Sequence, residues 1–140
     1  MRTILVVDDT KSILTDTAKA LRVAGYEVVT ETHGSSALEY LREHAVDLVI
    51  TDIYMPDLDG FEILRLVHER HPGVPVIAMS ADPAPFGNAL TMASAMGAQG
   101  TLWKPFLVED LLDAVGTALD CSSPPPPART GEGALDQQRG

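Results

Sequence analysis

The sequence has a single cysteine, Cys121, which excludes an intramolecular disulfide and a thiolate zinc site and leaves a free thiol at the edge of any folded unit. Positive charge is also scarce: ten Lys and Arg stand against twenty Asp and Glu, a formal net charge of −10. A surface that grips nucleic-acid phosphates needs clustered Lys and Arg, and no such cluster occurs. No apolar run approaches the roughly 20 residues of a membrane span. The first apolar stretch, Thr3-Ile4-Leu5-Val6-Val7, is too short for a signal-peptide core and carries no cleavage pattern. Together these absences predict a cytoplasmic protein in a reducing compartment, with neither membrane contact nor direct nucleic-acid binding.

What is present is a regular alternation. Short apolar runs at 4–7, 26–30, 48–50, 75–79 and 100–103 are too brief for helices and are bounded by turn formers. Between and after them, apolar residues recur at helical spacing. Ile13, Leu14, Ala18 and Leu21 mark the first helix, closed by Gly25, and Ser36-Ala37-Leu38-Glu39 reads as a capping box that opens the second. Phe61, Leu64 and Val67 mark the third, the Ala- and Met-rich stretch 86–96 the fourth, and Leu107, Leu111, Leu112, Val115 and Leu119 the last. This is a (βα)5 pattern, an α/β fold with one doubly wound, five-stranded parallel sheet between helix layers. Leu48-Val49-Ile50 has no polar side to give to water, so both faces of that strand must be covered. From Cys121 the composition turns to Ser, four consecutive prolines, Gly and Gln without apolar periodicity. That change predicts one folded domain over 1–120 and a disordered tail over 121–140, with polyproline II at 124–127.

The chemistry gathers at strand ends. Asp52 follows the central run, Asp8 and Asp9 follow the first, and Ser80 and Lys104 follow the fourth and fifth. Open α/β sheets place their ligand crevices at the carboxyl ends of strands, so one crevice can hold all five. Three carboxylates in one pocket repel each other, and a hard divalent cation such as Mg²⁺ relieves the repulsion through oxygen ligands. Lys104 offers a compact positive charge and Ser80 a hydroxyl, both suited to phosphoryl oxygens. The set reads as a phosphoryl-transfer site in which one carboxylate acts as nucleophile. Each residue alone has a plainer reading: Asp8 and Asp9 as helix caps, Ser80 as a turn residue, Lys104 as a solvated charge. Asp57 and Asp59 are explained by a turn and a helix N-terminus and stay outside the site. Gly60 permits a turn or a close approach. His68 and His71 suit the last turn of a helix, and Met79, Met92, Met96 and Trp103 read as core and packing.

Asp52-x-x-Met55-Pro56-x-x-x-Gly60, the pair Asp8-Asp9, Ser80-Ala81 and Lys104-Pro105-Phe106 occur in this order and at these strand ends. In that combination the chain resembles the receiver domain of bacterial two-component response regulators, over residues 2 to about 120. The resemblance implies a flavodoxin-like, CheY-like three-layer sandwich. It implies that Asp52 is the phosphoacceptor, that Asp8, Asp9, Asp52 and the Tyr54 backbone carbonyl hold Mg²⁺, and that Ser80 and Lys104 bind phosphoryl oxygens. The donor would be a phosphohistidine on a sensor histidine kinase or histidine phosphotransfer protein, and the domain would be a signalling device rather than an enzyme. A downstream protein would engage the face made by the fourth helix, fifth strand and fifth helix. Two other readings fit less well. A haloacid-dehalogenase-type aspartyl-phosphate phosphatase needs an acid two residues after its nucleophile, where Asp8 is followed by Asp9 and Thr10. A flavodoxin-like binding module needs a Ser/Thr/Gly-rich loop after the first strand, where this loop is acidic.

Some positions depart from the family's pattern. Thr101 stands where a Tyr or Phe commonly changes rotamer as the hydroxyl of Ser80 is drawn in. The loop 81–85 carries two prolines whose fixed φ angles limit its swing. Both departures predict a small movement of the fourth helix on activation. Tyr54 and Asp82, two residues beyond Asp52 and Ser80, border the crevice and would influence the access of water to an acyl phosphate. Tyr54 is expected to shield it.

Overall fold

A computed structural model describes residues 2–81 and 89–121. Strands β1 (Thr3–Val7), β2 (Glu27–Glu31), β3 (Leu48–Asp52), β4 (Val76–Ser80) and β5 (Gly100–Trp103) alternate with helices α1 (Lys11–Val23), α2 (Gly34–Glu43), α3 (Gly60–Arg70), α4 (Ala89–Ala95) and α5 (Val108–Cys121). The strands form one parallel sheet in the order β2-β1-β3-β4-β5. The order reverses between β1 and β3, and at such a switch point the loops part to leave a crevice beyond the carboxyl ends.

Alternation along each strand divides the core in two. Ile4 and Val6 of β1, Leu48 and Ile50 of β3, and Ile77 and Met79 of β4 pack with Leu14, Ala18 and Leu21 of α1 and Leu111, Val115 and Ala118 of α5. Their neighbours Leu5, Val7, Val49, Val76 and Ala78 face the other way, against α2, α3 and α4. Every residue of β3 is buried, as expected of a central strand covered on both sides. Burying each Leu or Ile fully contributes about 1.5–3 kcal/mol.

Several details differ from the sequence-based expectations. The second strand lies one residue later than 26–30, and α2 starts at Gly34 rather than Ser36. Ser36 makes no capping box; its hydroxyl donates to the His33 carbonyl at 3.0 Å. Two N–H groups in the first turn of α2 bond instead to Asp57, from the loop after β3. In α3 the burial falls on Ile63, Leu64, Leu66 and Val67, while Phe61 is only partly covered. Leu107 lies before α5 and is 63% exposed. Met79 is in the core as expected, but Met92, Met96 and Trp103 are not: they are 52%, 37% and 43% exposed. Met92 on α4, Met96 just after it and Trp103 at the end of the edge strand β5 belong to neither core cluster. The expected helical stretch 86–88 and the tail beyond Cys121 lie outside the described residues, and Cys121 itself closes α5.

Candidate functional site

The carboxyl edge of the sheet delivers four elements to one place. Asp8 follows β1, Asp52 is the last residue of β3, Ser80 the last of β4, and Lys104 follows β5. Lys104 Nζ stands 2.8 Å from Asp8 Oδ2 and 3.1 Å from Asp52 Oδ2, which fixes the three strand ends as one cluster. Carboxylate oxygens of Asp8, Asp9 and Asp52 all lie within 4.8 Å of one another. Ser80 is buried, and its carbonyl accepts the Lys104 N–H at 2.8 Å, so β4 and β5 are locked in step at the site.

Local structure explains how each acid is held. Asp8 caps no helix. Its Oδ1 accepts the Thr10 N–H at 2.9 Å in a tight turn of its own, and Thr10 is the N-cap of α1. Asp8 Oδ2 is fully buried, and Lys104 Nζ, 2.8 Å away, is its ion-pair partner. Asp9 is exposed beside it. Asp52 Oδ1 accepts the Ile53 N–H at 3.0 Å, and the same N–H donates to the Met79 carbonyl at 2.9 Å. The plain readings of Asp8 as a cap and Lys104 as a solvated charge are therefore overturned, since the Lys104 side chain is 9% exposed.

Gly60 owes its identity to a close approach. A Cβ there would strike the Asp52 carbonyl oxygen and come within 2.8 Å of Ile53 Cα, and its N–H donates to the Ile53 carbonyl at 2.7 Å. The loop that follows Asp52 is closed tightly behind the acid as a result. Asp59 caps α3 by accepting the Glu62 N–H at 2.9 Å, the helix-terminus role expected of it.

The charges oppose burial. Desolvation raises the Asp52 carboxyl above its ordinary range, Lys104 pulls it back, and Asp8 and Asp9 push it further up, so the balance is upward. Burial acts to lower the Lys104 ammonium, but Asp8 and Asp52 outweigh it and the ammonium is raised. Lys104 therefore stays charged at neutral pH.

An open cleft of about 900 Å³ leads to this cluster. Asp9, Asp52 and Lys104 form its polar end, Tyr54 and Ala81 its rim, and Ile13, Phe106 and Leu111 an apolar wall between α1 and α5. Tyr54 is 55% exposed there. Thr101 is exposed on β5 opposite Ala78, and Trp103, two residues on, shares its exposure while Leu102 between them is buried. Asp82 lies outside the described residues. The residue that sequence reasoning set aside is Asp57: it has three hydrogen bonds to Gly34 and Ser35, a contact that nothing in its local sequence announces.

Chemically, three carboxylates whose oxygens converge suit a divalent cation, and a fixed ammonium beside an exposed approach suits a transferable anion. Comparison with known proteins points the same way. The sequence signature of the response regulator receiver domain matches residues 4–116. The DNA-binding transcriptional regulator NtrC of Azospirillum brasilense is 34% identical over 139 residues, covering 97% of this chain and 28% of that protein. The CAI-1 autoinducer sensor kinase/phosphatase CqsS of Vibrio cholerae is 42% identical over 98 residues, 68% of this chain and 14% of that protein. The chain thus spans less than a third of either relative's length. Among solved structures, a response regulator receiver domain protein from Clostridium thermocellum superposes with a TM-score of 0.78 at 32% identity, over 86% of this chain and 96% of the other.

Proposed function

The chain belongs to the response regulator receiver family of two-component systems, and from that premise we propose that Asp52 is the residue that accepts the phosphoryl group. The observation that carries this reading is the position of the Asp52 carboxylate, 3.1 Å from Lys104 Nζ, beside Asp8 and Asp9, at the polar end of an open cleft.

In the proposed reaction an Asp52 carboxylate oxygen attacks the phosphorus of a phosphohistidine. The phosphorus–nitrogen bond breaks, the imidazole keeps the electron pair and takes a proton from solvent, and an acyl phosphate forms on Asp52. Asp8, Asp9, Asp52 and the Tyr54 carbonyl would hold Mg²⁺, for which the convergence of the three carboxylates within 4.8 Å is the supporting observation. When bound, that cation neutralises charge on the carboxylates and on the transferring oxygens. Lys104 Nζ turns from its carboxylate partners to a phosphoryl oxygen, and the Ser80 hydroxyl donates to another. The domain acts stoichiometrically, as a switch loaded and unloaded once per signal, and not as a turnover enzyme.

The donor is a sensor histidine kinase or a histidine phosphotransfer protein. The output surface is the α4-β5-α5 face, supported by the exposed Met92, Met96 and Trp103. The net charge of −10 supports a receiver that does not itself contact nucleic acid, whatever a neighbouring domain does. We take 1–120 as the receiver unit, with α5 reaching Cys121, and 121–140 as a linker or tail. No helix among the described residues is long and apolar enough to cross a membrane, and we place the protein in the cytoplasm.

The test is to incubate the protein with Mg²⁺ and a small-molecule acyl phosphate and follow its intact mass. The expected result is the gain of one phosphoryl group by the wild type and none by Asp52→Asn. Equal phosphorylation of both would move the acceptor elsewhere.

A further inference from the structure

We propose that Asp57 is a positioning residue: it latches the loop between β3 and α3, which follows Asp52 and carries Tyr54, to the first turn of α2, and so sets the oxygen donors that this loop presents to a cation. The inference rests on the proposed cation site and goes beyond it, because it ties the geometry of that site to a helix that contributes no residue to it.

Asp57 Oδ1 accepts the Gly34 N–H at 3.2 Å, and Oδ2 accepts both the Ser35 N–H at 3.1 Å and the Ser35 hydroxyl at 2.7 Å. The N-cap of α2, His33, makes no side-chain cap of its own, so these contacts stand where a local cap would be. The joint is sterically close as well. A Cβ on Gly34 would lie 2.5 Å from the Leu58 carbonyl oxygen and 2.8 Å from Leu58 Cβ, so the helix end sits directly on the loop.

Three of the contacts that hold the loop define its path. Ile53 N–H is bonded to the Met79 carbonyl at 2.9 Å, Gly60 N–H to the Ile53 carbonyl at 2.7 Å, and Asp57 to α2 between them. Tyr54 lies between the first pin and the Asp57 latch. Asp57 is the one of these three that reaches, through its side chain, to α2. Groups that orient a metal's ligands typically change its affinity 10- to 100-fold when removed. Three hydrogen bonds at an exposed joint place this latch near the lower end of that range.

The experiment measures Mg²⁺ affinity by titration calorimetry of the full chain, then the half-life of the acyl phosphate. Asp57→Ala is expected to weaken Mg²⁺ binding about tenfold and to shorten the half-life. Ser35→Ala, which removes one of the three bonds, is expected to fall between it and the wild type, and Asp57→Asn, which keeps an acceptor, to recover part of the loss. Asp47→Ala serves as the control: Asp47 accepts the Thr3 N–H at 2.7 Å at the opposite end of the sheet, so its loss costs a comparable bond far from the site. It should leave the affinity unchanged. An Asp57→Ala affinity within about twofold of the wild type, or an equal loss in Asp47→Ala, would overturn the latch. A wild type that binds Mg²⁺ but gains no phosphoryl group would sink the acceptor reading and leave the latch standing on the affinities. A wild type that binds no Mg²⁺ would overturn both.

Discussion

At Asp52, burial and two like charges work against the ionised carboxyl, and Lys104 works for it. Because the balance is upward from an ordinary 3.8, this residue stabilises the fold fully below that pH and loses the contribution as pH rises through its raised value. Without divalent cation at pH 7, Asp52→Asn is therefore expected to unfold at a higher temperature than the wild type. Lys104 keeps its partner Asp8, so the substitution leaves no orphan cation. Thermal unfolding of both proteins checks this, and the gap should close on acidification toward pH 3.8. A gap that widens on acidification would contradict the sign. Tyr54 offers the second test at this scale. Its half-exposed ring at the rim of the cleft should restrict water, so Tyr54→Ala should shorten the acyl-phosphate half-life severalfold; an unchanged or longer half-life would count against shielding. The residue types at these positions were legible in the sequence because a buried strand that ends on a carboxylate says where the acid is. The full burial of Asp8 was not, since a local reading makes it a cap.

Among the elements, the joints between helices and loops carry the strain of any change. Gly60→Ala would force its Cβ onto the Asp52 carbonyl oxygen and the Ile53 backbone, neither of which is the end of a flexible side chain. We expect a loss of about 3 kcal/mol, measured by urea unfolding, with acceptor function damaged in the surviving folded fraction. Asp57 gives a milder case. Its carboxyl is held well below the ordinary range by the Ser35 hydroxyl and by backbone N–H groups. A lowered acid stabilises above its unfolded value and loses that contribution as pH falls through the folded one. Asp57→Ala should therefore lose about 1 kcal/mol or less at pH 7, the worth of a cap discounted for solvent exposure, and less in strong acid, as urea unfolding at the two pH values would show. The start of α2 was misplaced by the sequence pattern for the same reason. Ser36 and Glu39 have the spacing of a capping box, yet the groups that satisfy the first turn come from Asp57, 23 residues away from Gly34. Helical propensity near Ser36 cannot register a partner that folding brings in.

For the whole molecule, the surplus of acids sets the response to ions. A net charge of −10, with three carboxylates gathered at one edge, predicts that Mg²⁺ stabilises the fold beyond simple screening. At 100 times its dissociation constant a ligand specific for the folded state adds about 2.7 kcal/mol. For a domain of this size that is a rise in Tm of roughly 10 °C. NaCl at equal ionic strength should give a smaller rise, and Asp9→Ala should remove most of the difference between the two salts. If NaCl matched Mg²⁺, the acids would be acting only as a diffuse charge.

The sequence by itself determined the number and order of the elements, the buried central strand and the residues that stand at the strand ends. These are local properties: a period of two or 3.6, a turn former, a carboxylate where an apolar run stops. Only the tertiary structure decided which side chains meet water and which distant groups meet each other. It exposed Trp103, Met92 and Met96, which the sequence had assigned to the core, because their side chains, on β5, on α4 and just beyond α4, lie outside both core clusters. It turned Asp57 from a loop residue into the partner of α2, and it set Lys104 Nζ between Asp8 and Asp52, because a parallel sheet puts the ends of β1, β3 and β5 on one edge, where a long lysine side chain can span the strands between them.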